Sequence, residues 1–236
     1  MESDSLVRHS AHFLNYLDQW LAGLDPMPIS RLGDDPGRIA LVSVDVINGF
    51  CHQGPLASPR VHAIIEPIVT LMRHAWEHGI HHQLLIQDTH EPSDVEFEAY
   101  PAHCVRGTDE SESVPEIKAL PFFDRMTTFH KNSIDSALNT GLPDWIEAHP
   151  EVASYIVVGD CTDLCTYQLA MHLRLEANAR QIKRRVTVPA DCVDTYDVSV
   201  DAAAQAGGLP HDARIFHQLF LYSMTLNGIE VVARLT

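Results

Sequence analysis

The chain has 236 residues, 45% apolar and 20% charged, which fits one large α/β domain of a globular protein. Its 16 Lys and Arg against 32 Asp and Glu leave a formal charge of −16. That balance argues against nucleic acid and against an anionic membrane surface as partners, because both need a basic face.

The first predicted element is a helix over 4–24, with Leu6, Phe13, Leu14, Leu17, Leu21 and Leu24 at helical spacing. Pro and Gly then mark a loop to residue 37, so residues 1–37 read as an N-terminal helical arm and 38–236 as the main domain. The N-terminus is acidic without an apolar stretch, so no signal peptide is expected. No apolar run approaches the ~20 residues of a membrane span. Five cysteines, an odd number, read as reduced thiols of a cytoplasmic protein.

From residue 38 short apolar runs alternate with helical patterns. Strands are predicted at 39–44, 83–87, 126–129, 154–158, 185–188 and 229–233, and helices at 61–78, within 133–148, and at 162–179, 198–206 and 211–225. Nearly continuous apolar strands suit burial on both faces. The alternation implies an α/β fold, a doubly wound and mostly parallel sheet with helices on both faces. The stretch 88–115 is too long for an ordinary connection and reads as a functional loop.

In such folds ligands sit beyond the carboxyl ends of the strands. Four reactive side chains fall there: Asp45, Asp88, Lys131 and Cys165. Singly, each has an ordinary explanation as a cap, a surface lysine or a small core residue. Together they converge on one crevice. Cys165 falls at a helix start, where unpaired N–H groups and the dipole favour a thiolate. A nearby Lys131 lowers the thiol pKa further. Asp45 is placed to take the thiol proton and pass it to a leaving amine. The N–H groups at the helix start are candidates for an oxyanion hole. Cys165 therefore reads as the nucleophile of a small-amide hydrolase.

Asp88 and His90, two apart in extended chain, point the same way. With His103 they make a mixed oxygen and nitrogen set with open positions, suited to one divalent metal ion, zinc first and iron or manganese as alternatives. Glu96 and Glu98 lie between and are candidate extra ligands; Cys104, adjacent to His103, is not. Asp191, Asp194 and Asp197 read as turn and cap residues. His211 and His217 read as structural residues of a helix. The spacing of Cys161 and Cys165 also permits a redox disulfide.

Three blocks resemble the isochorismatase-like cysteine hydrolases and, within them, the nicotinamidases. They are Leu41 to Phe50 with Asp45, Asp88-Thr-His90 followed by Tyr100 to Thr108, and Val158-Gly-Asp-Cys-Thr-Asp-Leu-Cys165. Lys131 stands between the second and third, and 110–116 is similar to the plant-type branch. The resemblance covers about residues 38–235. It implies Cys165 as nucleophile, Asp45 as acid and base, and Lys131 as charge partner. It implies a cis peptide at Asp160–Cys161, an oxyanion hole from the Cys161 and Cys165 N–H groups, and Phe50 and Tyr100 flanking a substrate ring. Asp88, His90 and His103 would bind the metal that holds a pyridine nitrogen. The implied reaction is nicotinamide to nicotinate and ammonia through a thioester, in NAD salvage, by a homo-oligomer.

Departures from the family pattern are Thr89 and Tyr100 where Trp is usual, and Leu164 where an aromatic often stands. Relatives that cleave carbamoyl compounds or vinyl ethers generally lack the full Asp/His/His set, so its presence favours a pyridine carboxamide. The alternatives are hydrolysis of another small amide or carbamoyl substrate, a silent scaffold on the same fold, and a thiol redox sensor.

Overall fold

The computed structural model describes residues 5–236. In chain order its elements are α1 (Leu6–Ala22), β1 (Ile39–Val44), α2 (Asn48–Cys51), α3 (Pro59–Ala63), α4 (Ile65–Glu77), β2 (His82–Asp88), α5 (Pro115–Lys118), β3 (Thr127–Lys131) and α6 (Leu142–Ala148). Then come β4 (Ser154–Asp160), α7 (Cys165–Ala179), β5 (Arg185–Pro189), β6 (Val193–Asp194), α8 (Val200–Ala206), α9 (Ala213–Leu226) and β7 (Glu230–Val232).

The strands form one sheet in the order β3-β2-β1-β4-β5-β7, with β6 paired to β4, and every pairing is parallel. Every residue of β1 and β4 is buried, which is why their sequences are apolar without alternation. Successive residues of β1 feed opposite layers. Ile39 and Leu41 pack with Ile65, Ile68 and Met72 of α4. Ala40, Val42 and Val44 pack with Leu169 and Leu173 of α7 and Leu221 of α9. The strand's period of two thus places helices on both faces.

The first helix begins where Ser5 accepts a hydrogen bond from the Arg8 N–H; residue 4, at which it was predicted to start, lies outside the described residues. It lies along α9, with Trp20 edge-on to Tyr222 at 5.2 Å and Asp18 bonded to Arg214 and Gln218. The segment after it joins the carboxyl terminus through Met27 and Ile29.

Several expectations need correction. The helix predicted over 61–78 is two helices that meet at Ile64. The third strand runs to Lys131, so that lysine ends the strand rather than following it. The helix predicted from 162 begins at Cys165. His211 is outside the helix assigned to it: it pairs in an antiparallel bridge with Val198, and α9 starts two residues later.

Candidate active site

The crevice forms at the carboxyl ends of β1 and β4, where Val44 pairs with Gly159. Close approach there depends on Gly159, whose φ is +116° and whose Cβ, if it had one, would lie 2.0 Å from the Val44 carbonyl oxygen. Only glycine permits that contact. The chain then passes through a cis Asp160–Cys161 peptide into the turn that ends at α7. Immediately after β1, Asp45 adopts φ +58°, a left-handed conformation in which Asp is among the better tolerated residues. Its carboxylate accepts the Asp88 N–H at 2.8 Å.

Three of the four strand-end groups surround Lys131, which is almost entirely buried. Its Nζ lies 2.9 Å from Asp45 Oδ2, 2.9 Å from Asp88 Oδ1 and 3.6 Å from Cys165 Sγ. Burial disfavours its charge, yet Asp45, the Cys165 sulfur and Asp88 hold its pKa well above the ordinary lysine range. Asp88 is held well below the usual carboxylate range: burial pushes it up, but Lys131 and then the hydrogen bonds from His103 and His90 prevail.

Asp45 and Cys165 behave differently. Burial raises Asp45 to about 6, with Lys131 opposing and Asp88 adding to the shift. Burial also pushes the Cys165 thiol well up, and the pull of Lys131 does not offset it because Asp45 and Asp88 add negative potential. The expectation of a depressed thiol pKa is therefore corrected. The helix start and one lysine favour the thiolate, but the buried carboxylates and the low-polarity surroundings outweigh them. Burial thus favours the neutral thiol at Cys165, whose proton a neighbouring base can accept. Asp45, pushed toward neutral pH beside it, is the group in range.

At the start of α7 the Cys161 carbonyl accepts the Leu164 and Thr166 N–H groups, at 3.0 and 3.2 Å. The N–H of Cys165 is the first of the helix and has no intrahelical partner by position.

Beside Lys131, Asp88 Oδ2 lies 2.9 Å from His90 Nε2 and 3.0 Å from His103 Nε2. The loop 88–115 folds back to achieve this: His90 and Val105 pair, the His90 N–H bonding the Cys104 carbonyl and the Arg106 N–H the His90 carbonyl. The ligand atoms of Asp88, His90 and His103 all lie within 4.8 Å of one another, and the three residues are buried. A fit to a metal can be tested on the histidines' far sides. His90 Nδ1 donates to Asp94 at 3.1 Å and His103 Nδ1 donates to the Pro101 carbonyl at 2.8 Å. Both partners only accept, so Nδ1 carries a proton, and each Nε2 reaches Asp88 either as the second N–H of an imidazolium or, with that proton displaced, as a lone pair. In the second state two imidazole lone pairs and a carboxylate oxygen converge, and those residues fit a cation. Glu96 is partly buried beside the set and Glu98 is exposed; neither belongs to the three-residue cluster.

Both groups of residues open on one cavity of about 260 Å³, lined among others by Asp45, Asp88, His103, Lys131 and Cys165. Phe50 and Tyr100 also line it, and their rings lie 5.7 and 6.2 Å from the His103 ring. Among the lining residues that sequence reasoning did not place there are Asp160, Tyr196, Asp197 and Val198. Asp160 is buried and raised well above the carboxylate range, first by burial and then by Asp45. No spacing rule singles these out, because they arrive through the sheet and through the bridge at His211. All five cysteines are free thiols. Asp194 and Asp197 serve as turn and cap groups, accepting the Thr195 and Ala213 N–H groups.

Comparison with known proteins agrees with this architecture. An isochorismatase domain model matches residues 39–208. The chain is 28% identical to Nicotinamidase 1 of Arabidopsis thaliana over 229 residues, 90% of this chain and 91% of the relative. A cysteine hydrolase from Pseudomonas syringae pv. phaseolicola superposes with a TM-score of 0.69 at 19% identity, covering 88% of this chain and 92% of that one. A nicotinamidase from Bacillus subtilis superposes at 0.63 and 18% identity, covering 83% and 99%.

Proposed function

The chain belongs to the isochorismatase family, and we propose that it is a metal-dependent cysteine amidohydrolase converting nicotinamide to nicotinate and ammonia. The observation that carries the reading is Asp88. One of its oxygens meets Lys131 of the nucleophile group and the other meets both histidines, so a metal set and a thiol share one cavity. The similarity to Nicotinamidase 1 along nine-tenths of the chain supports the substrate.

Asp88, His90 and His103 would hold one divalent ion, zinc by donor type and iron or manganese by the same donors. When bound it would supply a Lewis-acidic anchor for a ring nitrogen. Phe50 and Tyr100 flank the ring. Asp45 takes the Cys165 proton, and Sγ attacks the amide carbon. The N–H groups of Cys161 and Cys165 hold the oxyanion, each worth roughly 3–4 kcal/mol. Asp45 returns the proton to the amine as the C–N bond breaks and ammonia leaves a thioester. Asp45 then deprotonates a water that attacks the thioester, and the proton returns to Cys165 as nicotinate departs. Lys131 stays charged throughout and balances Asp45 and Asp88. In this reading the enzyme feeds nicotinate into NAD salvage and works as a homo-oligomer in the cytoplasm. No helix among the described residues is long and apolar enough to cross a membrane.

Ammonia release from nicotinamide decides the matter. Wild-type protein loaded with zinc should turn over, and chelated protein and Cys165→Ala should not. No turnover by the metal-loaded wild type removes nicotinamide as substrate, with carbamoyl compounds tried next; turnover by Cys165→Ala removes the mechanism.

A further inference from the structure

The turn that delivers Cys165 is gripped from the far end of the chain. Thr162 and Asp163, between the cis peptide and Leu164 at the helix start, are both buried. His211 Nε2 lies 2.9 Å from Asp163 Oδ2, and His217 Nδ1 lies 2.9 Å from Thr162 Oγ1. The two contacts span 48 and 55 residues of sequence. Each histidine is itself fixed. His211 lies between the rings of Tyr196 and Phe216, at 4.0 and 4.2 Å and nearly parallel to both. Its Nδ1 lies 2.8 Å from the Tyr196 carbonyl oxygen. Its backbone pairs with Val198 in both directions at 2.8 Å. His217 projects from α9 toward Asp194, which is anchored by Arg60 at 2.6 Å and whose carbonyl accepts the Thr162 N–H at 3.0 Å.

We propose that His211 and His217 are positioning residues, which hold the 161–164 turn so that the Cys165 thiol and the N–H groups beside it meet the reacting carbonyl. This rests on Cys165 being the nucleophile. Nothing about either histidine requires it to touch substrate. The oxyanion donors are backbone groups, and no side chain of theirs can be adjusted to aim them, so the aim must come from what the turn is bonded to. The two side chains between the cis peptide and Leu164 at the helix start, Thr162 and Asp163, are the ones held. The same histidine that holds Asp163 also holds Tyr196 and Val198, which line the cavity.

Side-chain amides distinguish positioning from mere packing, because each mimics one ring nitrogen. Glutamine places its amide nitrogen near the imidazole Nε2, and asparagine near Nδ1. The proposal therefore makes opposite demands at the two sites. His211→Gln should keep the bond to Asp163 and His211→Asn should lose it, while His217→Asn should keep the bond to Thr162 and His217→Gln should lose it. For the broken contacts kcat should fall about 10- to 100-fold with KM within about threefold, the scale of a small misplacement at the reacting atoms. The rescuing amide should return kcat to within about fivefold of wild type. Asp163→Asn, which keeps an oxygen for His211, and Asp163→Leu, which does not, should divide the same way, and they decide the point where a His211 variant does not fold.

A second readout needs no substrate. The rate at which iodoacetamide alkylates Cys165 in metal-free protein should fall with the broken contacts and recover with the rescuing ones, among variants whose far-ultraviolet circular dichroism matches wild type. Variants that fold but show no difference between the two amides at either position, or that alkylate at the wild-type rate while kcat falls, overturn the proposal. If wild type releases no ammonia from nicotinamide, the substrate assignment fails, and the alkylation series still decides the role of the histidines.

Discussion

Asp88 Oδ1 lies 2.9 Å from Lys131 Nζ, while its other oxygen faces two imidazoles. One carboxylate therefore touches both groups of residues, and the two proposed roles can be separated by choice of variant. His90→Ala removes a ligand and leaves Lys131 between Asp45 and Asp88. It should abolish stoichiometric zinc, measured by metal analysis after dialysis, and leave alkylation of Cys165 near the wild-type rate. Asp88→Ala should lose zinc and also change the alkylation rate, because it removes one of the two carboxylates that offset the lysine's pull on the thiol. Equal alkylation by both variants would mean that the two functions are not joined through this residue.

A second prediction concerns Asp45, whose carboxyl is raised by burial to about 6. The unfolded chain loses this proton near 3.8, and the folded one near 6. Between those values the folded state binds more protons, so stability falls as pH rises and the loss is complete above 6. The shift corresponds to on the order of 3 kcal/mol. In metal-free protein, Asp45→Asn should flatten the stability profile from pH 4 to about 6, read by urea unfolding across that range. The wild-type kcat/KM should rise across an acid limb with an apparent pKa near 6, since the base must be ionised to take the thiol proton. A variant profile that keeps the wild-type slope would place the titration elsewhere.

Gly159 tests the frame rather than the chemistry. A methyl there would lie 2.0 Å from the Val44 carbonyl oxygen, in the centre of the sheet. No flexible side chain can yield, since the clash is with backbone. Gly159→Ala should destabilise the fold by more than about 4 kcal/mol or prevent soluble expression. A thermal midpoint close to wild type would show that β1 and β4 can separate without cost.

The frame was legible because β1, β2, β4 and β5 are buried on both faces and carry that fact in their residues. The third strand was harder. It lies at the sheet edge with Thr127 and Thr128 exposed, so its apolar signal is weak and its end at Lys131 was misplaced. The residues of the site could be listed from strand ends and spacing, but their electrostatics could not. The helix start and a lysine are visible in sequence; the desolvation that overrides them at Cys165 depends on what closes over it. His211 and His217 show the same limit. Each reads as an ordinary histidine until the sheet brings Asp163 and Thr162 against it, and β6, two residues long, leaves no periodicity to find.

The last prediction rests on Asp94, which holds the candidate ligand His90 and lies outside the candidate set. Its Oδ2 accepts His90 Nδ1–H at 3.1 Å and the Glu91 N–H at 3.1 Å, so it fixes both the ring's tautomer and the turn that carries it. Without that acceptor the proton is free to sit on Nε2, the nitrogen that must present a lone pair. Metal binding would then have to work against the wrong tautomer and a rotating ring. Asp94→Ala should weaken zinc affinity by about 10- to 100-fold with all three ligands intact. Competition against a chromogenic chelator measures it directly, and the resulting loss of turnover should be recovered by raising zinc. His90→Ala should show no such recovery, because a missing ligand is not restored by mass action over the same range. Unchanged affinity in Asp94→Ala would mean that the ring is oriented by its packing on Phe97, 5.1 Å away, and not by the carboxylate.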